Sequence, residues 1–129
     1  MTFKKLIEIG NKRINYLRIN KRIKSGDCVC VIESTGGSIY VANSVSFSGI
    51  VYCAEQVAIL SMINDQHYEI VRLVTISKDG EITPPCGRCL ELISQTDNCE
   101  KAEIAISANE YKHLCDLYPY DWKSPKAVN

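Results

Sequence analysis

Two stretches, VYCAEQVAIL (51–60) and TPPCGRCLEL (83–92), each open an apolar helical run on a cysteine. Ala54, Val57, Ala58, Ile59 and Leu60 recur at helical spacing, which places Cys53 in the first turn of a helix and Glu55 two positions on. Pro84 and Pro85 favour an extended approach and then an abrupt helix start, so Cys86 and Cys89 head a second helix over 87–96. The start of a helix is electropositive, which lowers a thiol pKa and favours thiolate. A fold that brings both starts to one spot concentrates three sulfurs there.

The rest of the chain must supply a frame for that meeting. CVCVIES (28–34) reads as a strand, TGG as a tight turn and SIYVANSV (38–45) as the returning strand. Residues 47–49 read as a loop leading to the Cys53 helix, which fades around Asn64. YEIVRLVTIS (68–77) has the β-branched, apolar character of a buried strand, and KAEIAIS (101–107) alternates as a fourth. NEYKHLCDLY is expected to form a last short helix, stopped by Pro119. At the N-terminus, Phe3, Leu6, Ile7, Ile14 and Leu17 line one side of an amphipathic helix. The order α-β-β-α-β-α-β-α predicts a mixed sheet with helices packed on its faces, and 129 residues suit one domain.

No apolar run approaches the roughly 20 residues that cross a bilayer, and charges interrupt any signal-peptide core near the N-terminus. A cytoplasmic protein is expected, so the 7 cysteines point to metal or catalysis rather than disulfides. Cys28, Cys30, Cys99 and Cys115 fit small buried hydrophobes instead. Net charge is zero, yet Lys4, Lys5, Lys12, Arg13, Arg18, Lys21, Arg22 and Lys24 face only Glu8 in the first 24 residues. Their alternation with apolar positions reads as the solvated face of the helix, with a nucleic-acid or other anionic contact as the alternative.

The Cys86–Cys89 spacing lets both sulfurs face one metal, and Cys53 would make a third ligand. Three thiolates leave one tetrahedral position of a zinc ion open, as catalytic sites do. Glu55 would then reach a water at that position, accept its proton and pass protons to a leaving group. Two rival readings remain. Cys28 and Cys30 share one strand face, so either could complete a structural four-cysteine zinc site. Cys86 and Cys89 could instead form a redox pair, which leaves Cys53 and Glu55 without a purpose. His67 and His113 stand at no metal spacing from a cysteine motif.

Cys53-Ala54-Glu55 with Pro85-Cys86-Gly87-Arg88-Cys89 is the three-cysteine form of the zinc deaminase signature. On these residues the chain resembles the cytidine deaminase family, in its short free-nucleoside branch and the related blasticidin-S deaminases. The hairpin ending in Asn43, the motif spacing and Leu114-Cys115-Asp116-Leu117-Tyr118-Pro119 extend the resemblance. It implies a three-layer α/β/α sandwich with a mixed five-stranded sheet. It also implies one zinc per subunit on Cys53, Cys86 and Cys89, and a homotetramer whose active sites are shared. Zinc-activated water would attack C4 of a cytosine ring, with Glu55 carrying protons to ring N3 and the departing amine. The Ala54 backbone would meet the pyrimidine edge, and Asn43, with Ser46 nearby, the sugar.

The chain departs from the family at two places. Nucleoside-specific members have Asn-x-Glu-Asn where this chain has Asn43-Ser44-Val45-Ser46, so the ribose-binding carboxylate is replaced by Val45. Blasticidin-type enzymes share that loss and carry a Phe-Thr-Gly comparable with Phe47-Ser48-Gly49. Three-cysteine relatives follow Cys-Ala-Glu with an arginine that bonds the thiolates. Here Gln56 stands in its place, and Arg88 is the candidate that offsets the thiolate charge. Aromatic residues are too sparse to offer a nucleic-acid strand a stacking platform, so a free nucleoside or nucleoside antibiotic is the expected substrate. Tyr120 and Trp122 are candidates for subunit packing or for capping a neighbouring subunit's pocket.

Overall fold

The computed structural model describes residues 1–123. Its spine is strand β2 (Ile23–Ser34), apolar on both faces. A strand with two apolar faces needs a layer on each side. Helix α1 (Phe3–Asn11) covers Val29 and Val31 together with Val74, Ile76 and Ala105, inserting Leu6. Gly10 lets it lie close, since a Cβ there would stand 2.5 Å from Ile76 Cδ1. On the opposite face, Cys30, Ile32, Leu73 and Ile104 pack against α2 (Ala54–Asn64), α3 (Gly87–Ile93) and the single turn α4 (Leu114–Leu117). The result is the expected three-layer α/β/α arrangement.

The sheet runs β4-β3-β2-β5-β6-β7, with β1 also paired to β2. Five strands form its body: β2, β3 (Ile39–Phe47), β5 (Ile70–Ser77), β6 (Glu103–Ser107) and β7 (Glu110–His113). Two short pieces, β1 (Leu17–Arg18) and β4 (Ile50–Tyr52), extend it. All neighbours are antiparallel except β5 and β6, whose parallel pairing requires the crossover through α3. Among the described residues no helix is long and apolar enough to cross a membrane.

Three local expectations change. The N-terminal helix ends at Asn11, so Arg18 and Lys24 lie on strands instead of on a helix face. Residues 50–52 pair with β3 rather than looping. Residues 110–113 form an edge strand against β6, which leaves only one helical turn before Pro119. In each case pairing with a distant strand overrides the local pattern.

One irregularity interrupts the ladder between β2 and β3. Ser25 pairs with Val45 and Val29 with Asn43, so residues 26–28 bulge opposite Ser44 alone. Gly26 makes the bulge possible: its φ is +92°, and a Cβ there would collide with the backbone oxygen of Asn15. The Cys28 N–H, freed from the ladder, donates to Ser44 Oγ at 3.1 Å. Gly26→Ala should therefore lose roughly 1–3 kcal/mol of stability, from the left-handed backbone and the clash together. Urea unfolding would measure it, and an unchanged midpoint would show that the bulge tolerates a side chain.

The C-terminal segment is tied to α3 through one carboxylate. Tyr118 OH (2.8 Å), Trp122 Nε1 (3.0 Å), Lys123 Nζ (3.2 Å) and Gln95 Nε2 (2.7 Å) all donate to Glu91. These donors, Tyr118 foremost, pull the Glu91 pKa down to about 2. A depressed carboxylate stabilises fully above its ordinary pKa of about 4.3, and that contribution is lost as pH falls through about 2. Trp122 emission should change across that acid window, and Glu91→Gln should remove the transition.

Candidate active site

Cys53 is the N-cap of α2, and its own N–H donates to Gln56 Oε1 at 2.8 Å. Gln56 thus fixes the residue that begins the helix. Cys86 is the N-cap of α3, with Cys89 inside its first turn. A turn after β5 brings α3 to α2: Ser77 N bonds Glu81 O at 2.7 Å and Thr83 N bonds Thr75 O at 2.9 Å. The returning chain lays Pro84 and Cys86 beside Thr75, in the cavity that Cys53 also lines.

The three sulfurs lie within 4.8 Å of one another. Cys53 Sγ and Cys86 Sγ are 3.8 Å apart, and Cys86 Sγ and Cys89 Sγ 3.5 Å. Thiolates about 2.3 Å from a tetrahedral zinc stand about 3.8 Å apart, so the donor set fits that ion in both element and spacing. Arg88 Nη2 donates to Cys53 Sγ at 3.4 Å. The guanidinium pKa is raised, first by its hydrogen bond to Cys86 and then by the charge of Cys53.

The sulfurs are unequal. Burial pushes Cys86 up, but hydrogen bonds from the Cys89 backbone, from the Cys89 and Cys53 side chains and from the Arg88 backbone outweigh it, and its pKa falls. Burial raises Cys53 and Cys89, and the charge of Glu55 raises Cys89 further. Exposed Cys86 at the helix start ionises first. Glu55 is 5% exposed, and burial raises its carboxyl pKa against the opposing pull of its own backbone, Thr75 and Cys89. A carboxyl so raised holds and releases protons nearer neutrality.

A cavity of about 220 Å³ opens at this point, lined by Cys28, Ser44, Val51, Ala54, Glu55 and Thr75 as well as by Cys53 and Cys86. Ser46 lies on the same face as Ser44, buried one step along β3. Asn43 does not reach the cavity. It pairs with Val29, whose side chain packs under α1, so alternation turns Asn43 to the opposite face of the sheet. Its Oδ1 is buried there without a hydrogen-bond partner. Ser44 and Thr75 are among the cavity residues that reading the sequence missed, together with Asp27, Val51 and Thr83. Thr75 is polar within the apolar run LVTIS, and its Oγ1 is buried without a hydrogen bond; a polar position facing inward was the available signal.

Cys28 and Cys30 stay outside the sulfur cluster among the described residues. Burial, reinforced by Glu55, raises both thiols. His67 lies 3.9 Å from Asp65, and His113 caps α4. Trp122 folds onto its own α3 through Glu91, whereas Tyr120 is 93% exposed. A larger open depression of about 580 Å³, lined by Lys21, Arg22 and Phe47, holds neither acid nor thiol.

Solved structures share this architecture. The cytidine deaminase from Mycobacterium tuberculosis superposes with a TM-score of 0.77 at 16% identity, covering 96% of this chain and 99% of that one. The cytidine deaminase from Mycobacterium leprae gives 0.74 at 17% identity, over 92% and 98%. That from Burkholderia pseudomallei gives 0.73 at 18% identity, over 93% and 98%. No protein-family model matches the chain, and no curated protein does. The chain has the fold of cytidine deaminases.

Metal analysis separates the cluster from its rivals. Cys53→Ser, Cys86→Ser and Cys89→Ser should each lower bound zinc well below one per chain, whereas Cys28→Ser should leave it unchanged. Loss of zinc in Cys28→Ser would restore the four-cysteine reading.

Proposed function

We propose that the protein is a zinc-dependent hydrolase that deaminates a cytosine ring carried by a nucleoside or nucleoside analogue, releasing ammonia. One observation carries the reading: three free sulfurs meet at two helix starts, beside a buried glutamate and a cavity. A structural zinc site has no use for a cavity, and a redox pair has none for Cys53 or Glu55.

Cys53, Cys86 and Cys89 would hold the ion. When bound, it supplies the Lewis acidity that makes water nucleophilic near neutral pH. Zinc with three thiolates carries a net negative charge, which opposes deprotonating that water. Arg88 offsets it by donating to sulfur, in the role that the missing arginine at position 56 would have filled. Glu55 takes one proton from the attacking water and delivers it to ring N3, then takes the second from the hydroxyl now on C4, as that becomes the carbonyl, and passes it to the departing amine. Its raised pKa suits a group that must do both. The backbone of Ala54 borders the cavity where the pyrimidine edge would rest, and Ser44, in place of Asn43, faces the sugar. Ser46 stands next along the strand.

An apolar strand at the mouth of the site bears on assembly. Ile50, Val51 and Tyr52 are 63%, 45% and 47% exposed on the strand that enters the site. This strand supports the expected homotetramer, in which a second copy would cover the cavity. A single catalytic domain in the cytoplasm, with one zinc per subunit, completes the proposal. Cytidine, deoxycytidine and blasticidin-S-like antibiotics are the compounds to try first.

Ammonia release from a panel of cytosine and adenine nucleosides, with and without a chelator, tests the reaction. Activity on a cytosine compound that the chelator abolishes is the expected result; silence across the panel would refute it. Glu55→Gln should retain zinc while turnover falls about a hundredfold or more. Arg88→Ala should lower turnover about tenfold, the cost of a hydrogen bond to a charged group, or shed zinc on dialysis. Wild-type behaviour on both counts would remove Arg88 from the site.

A further inference from the structure

We infer that Arg18 and Lys24, beside the cavity on the same face of the sheet, form an anion-recognition pair, and that the cytosine compound carries a phosphate on its sugar. This rests on the deaminase reading and names the substrate class within it.

Sheet register sets the position of the pair. Val51 pairs with Ser46, Ser46 with Lys24, and Lys24 with Arg18. These four residues form one row across β4, β3, β2 and β1. Directly paired side chains share a face, and Val51 lines the cavity, so Lys24 and Arg18 lie on the cavity side of the sheet. Ser44 is the diagonal neighbour of Lys24, a separation of about 7–8 Å. In cytosine, N1 lies across the ring from C4. A ring that presents C4 to the sulfurs and Glu55 therefore points its N1 substituent away from them. Past Ser44 and Ser46, that direction leads to the two cations.

The pair also calls for a counter-ion. Like charges directly opposite on neighbouring strands destabilise a sheet. Among the described residues neither Arg18 nor Lys24 has a carboxylate within 4.0 Å. Arg18 Nη1 reaches only Asn20 O, at 3.5 Å. A phosphate dianion between them turns this repulsion into two charge-assisted contacts, one from a planar fork and one from an ammonium. The β3 side chains nearest the pair on this face are the hydroxyls of Ser44 and Ser46, and Asp27, which lines the cavity, is engaged by Lys78 at 3.7 Å.

The test compares cytidine and deoxycytidine with their 5′-monophosphates. For the wild type, kcat/KM should favour the monophosphate by about tenfold or more. Lys24→Ala and Arg18→Ala should each collapse that ratio toward one, through KM, and added salt should erode it as well. Calorimetric binding of the products, uridine monophosphate against uridine, should show the same preference and its loss without relying on turnover. Melting temperatures confirm that the variants fold. Equal or better use of the unphosphorylated compound, or a ratio unmoved by both variants, overturns the inference and leaves the deaminase reading intact. Silence toward all four compounds removes both.

Discussion

Everything in this molecule is arranged around the convergence of two helix starts. An isolated thiol is a poor ligand at neutral pH, and three crowded thiolates repel one another. Placing Cys53 and Cys86 where unpaired backbone N–H groups point outward opposes that repulsion, and at Cys86 backbone hydrogen bonds help to bring the thiol pKa down. The sheet exists, in functional terms, to bring α2 and α3 together. β3 and β4 deliver the chain to Cys53, while β5 and its returning turn deliver it to Cys86. Because Cys89 is buried and Cys86 exposed, the cluster has a rooted side and an open side, and the cavity adjoins the open one.

Around that centre the polar groups divide the labour. Gln56 holds the backbone of Cys53, Arg88 meets sulfur from outside, and Glu55 is pressed into a dry wall where its proton affinity rises. Cys30 beneath and Cys28 at the rim add volume without charge. A carboxylate and several thiols in one small space would repel strongly if all were ionised, so burial that keeps some of them neutral makes the arrangement tenable.

The cysteines, Glu55 and Arg88 were legible in the sequence because helix-start chemistry is local: a cap, a proline pair and a spacing announce it within ten residues. The layered sheet was legible for a similar reason, since both faces of CVCVIES and YEIVRLVTIS are apolar. What escaped was settled by distant contacts. Asn43 looked like the sugar-facing residue, yet its partner Val29 turns it beneath α1, and Ser44 takes the cavity instead. No local pattern reveals that partner, because the bulge at 26–28 resets the register and depends on Gly26 fitting against Asn15. The basic N-terminal stretch read as one helix because apolar positions recur beyond Asn11, although Gly10-Asn11 is itself a stop signal. The strand at 110–113 is polar enough at an edge to pass for helix surface.

The unequal thiols have a chemical consequence. Alkylating reagents attack thiolate rather than thiol, so Cys86 is the most reactive sulfur of the empty cluster, and Cys28, which lines the same cavity, reacts more slowly. Bound metal would shield Cys86 and leave Cys28 as slow as before. Once Cys115, the other exposed thiol, is replaced by serine, the amount of reagent consumed in the fast phase gauges how much of a sample is unloaded.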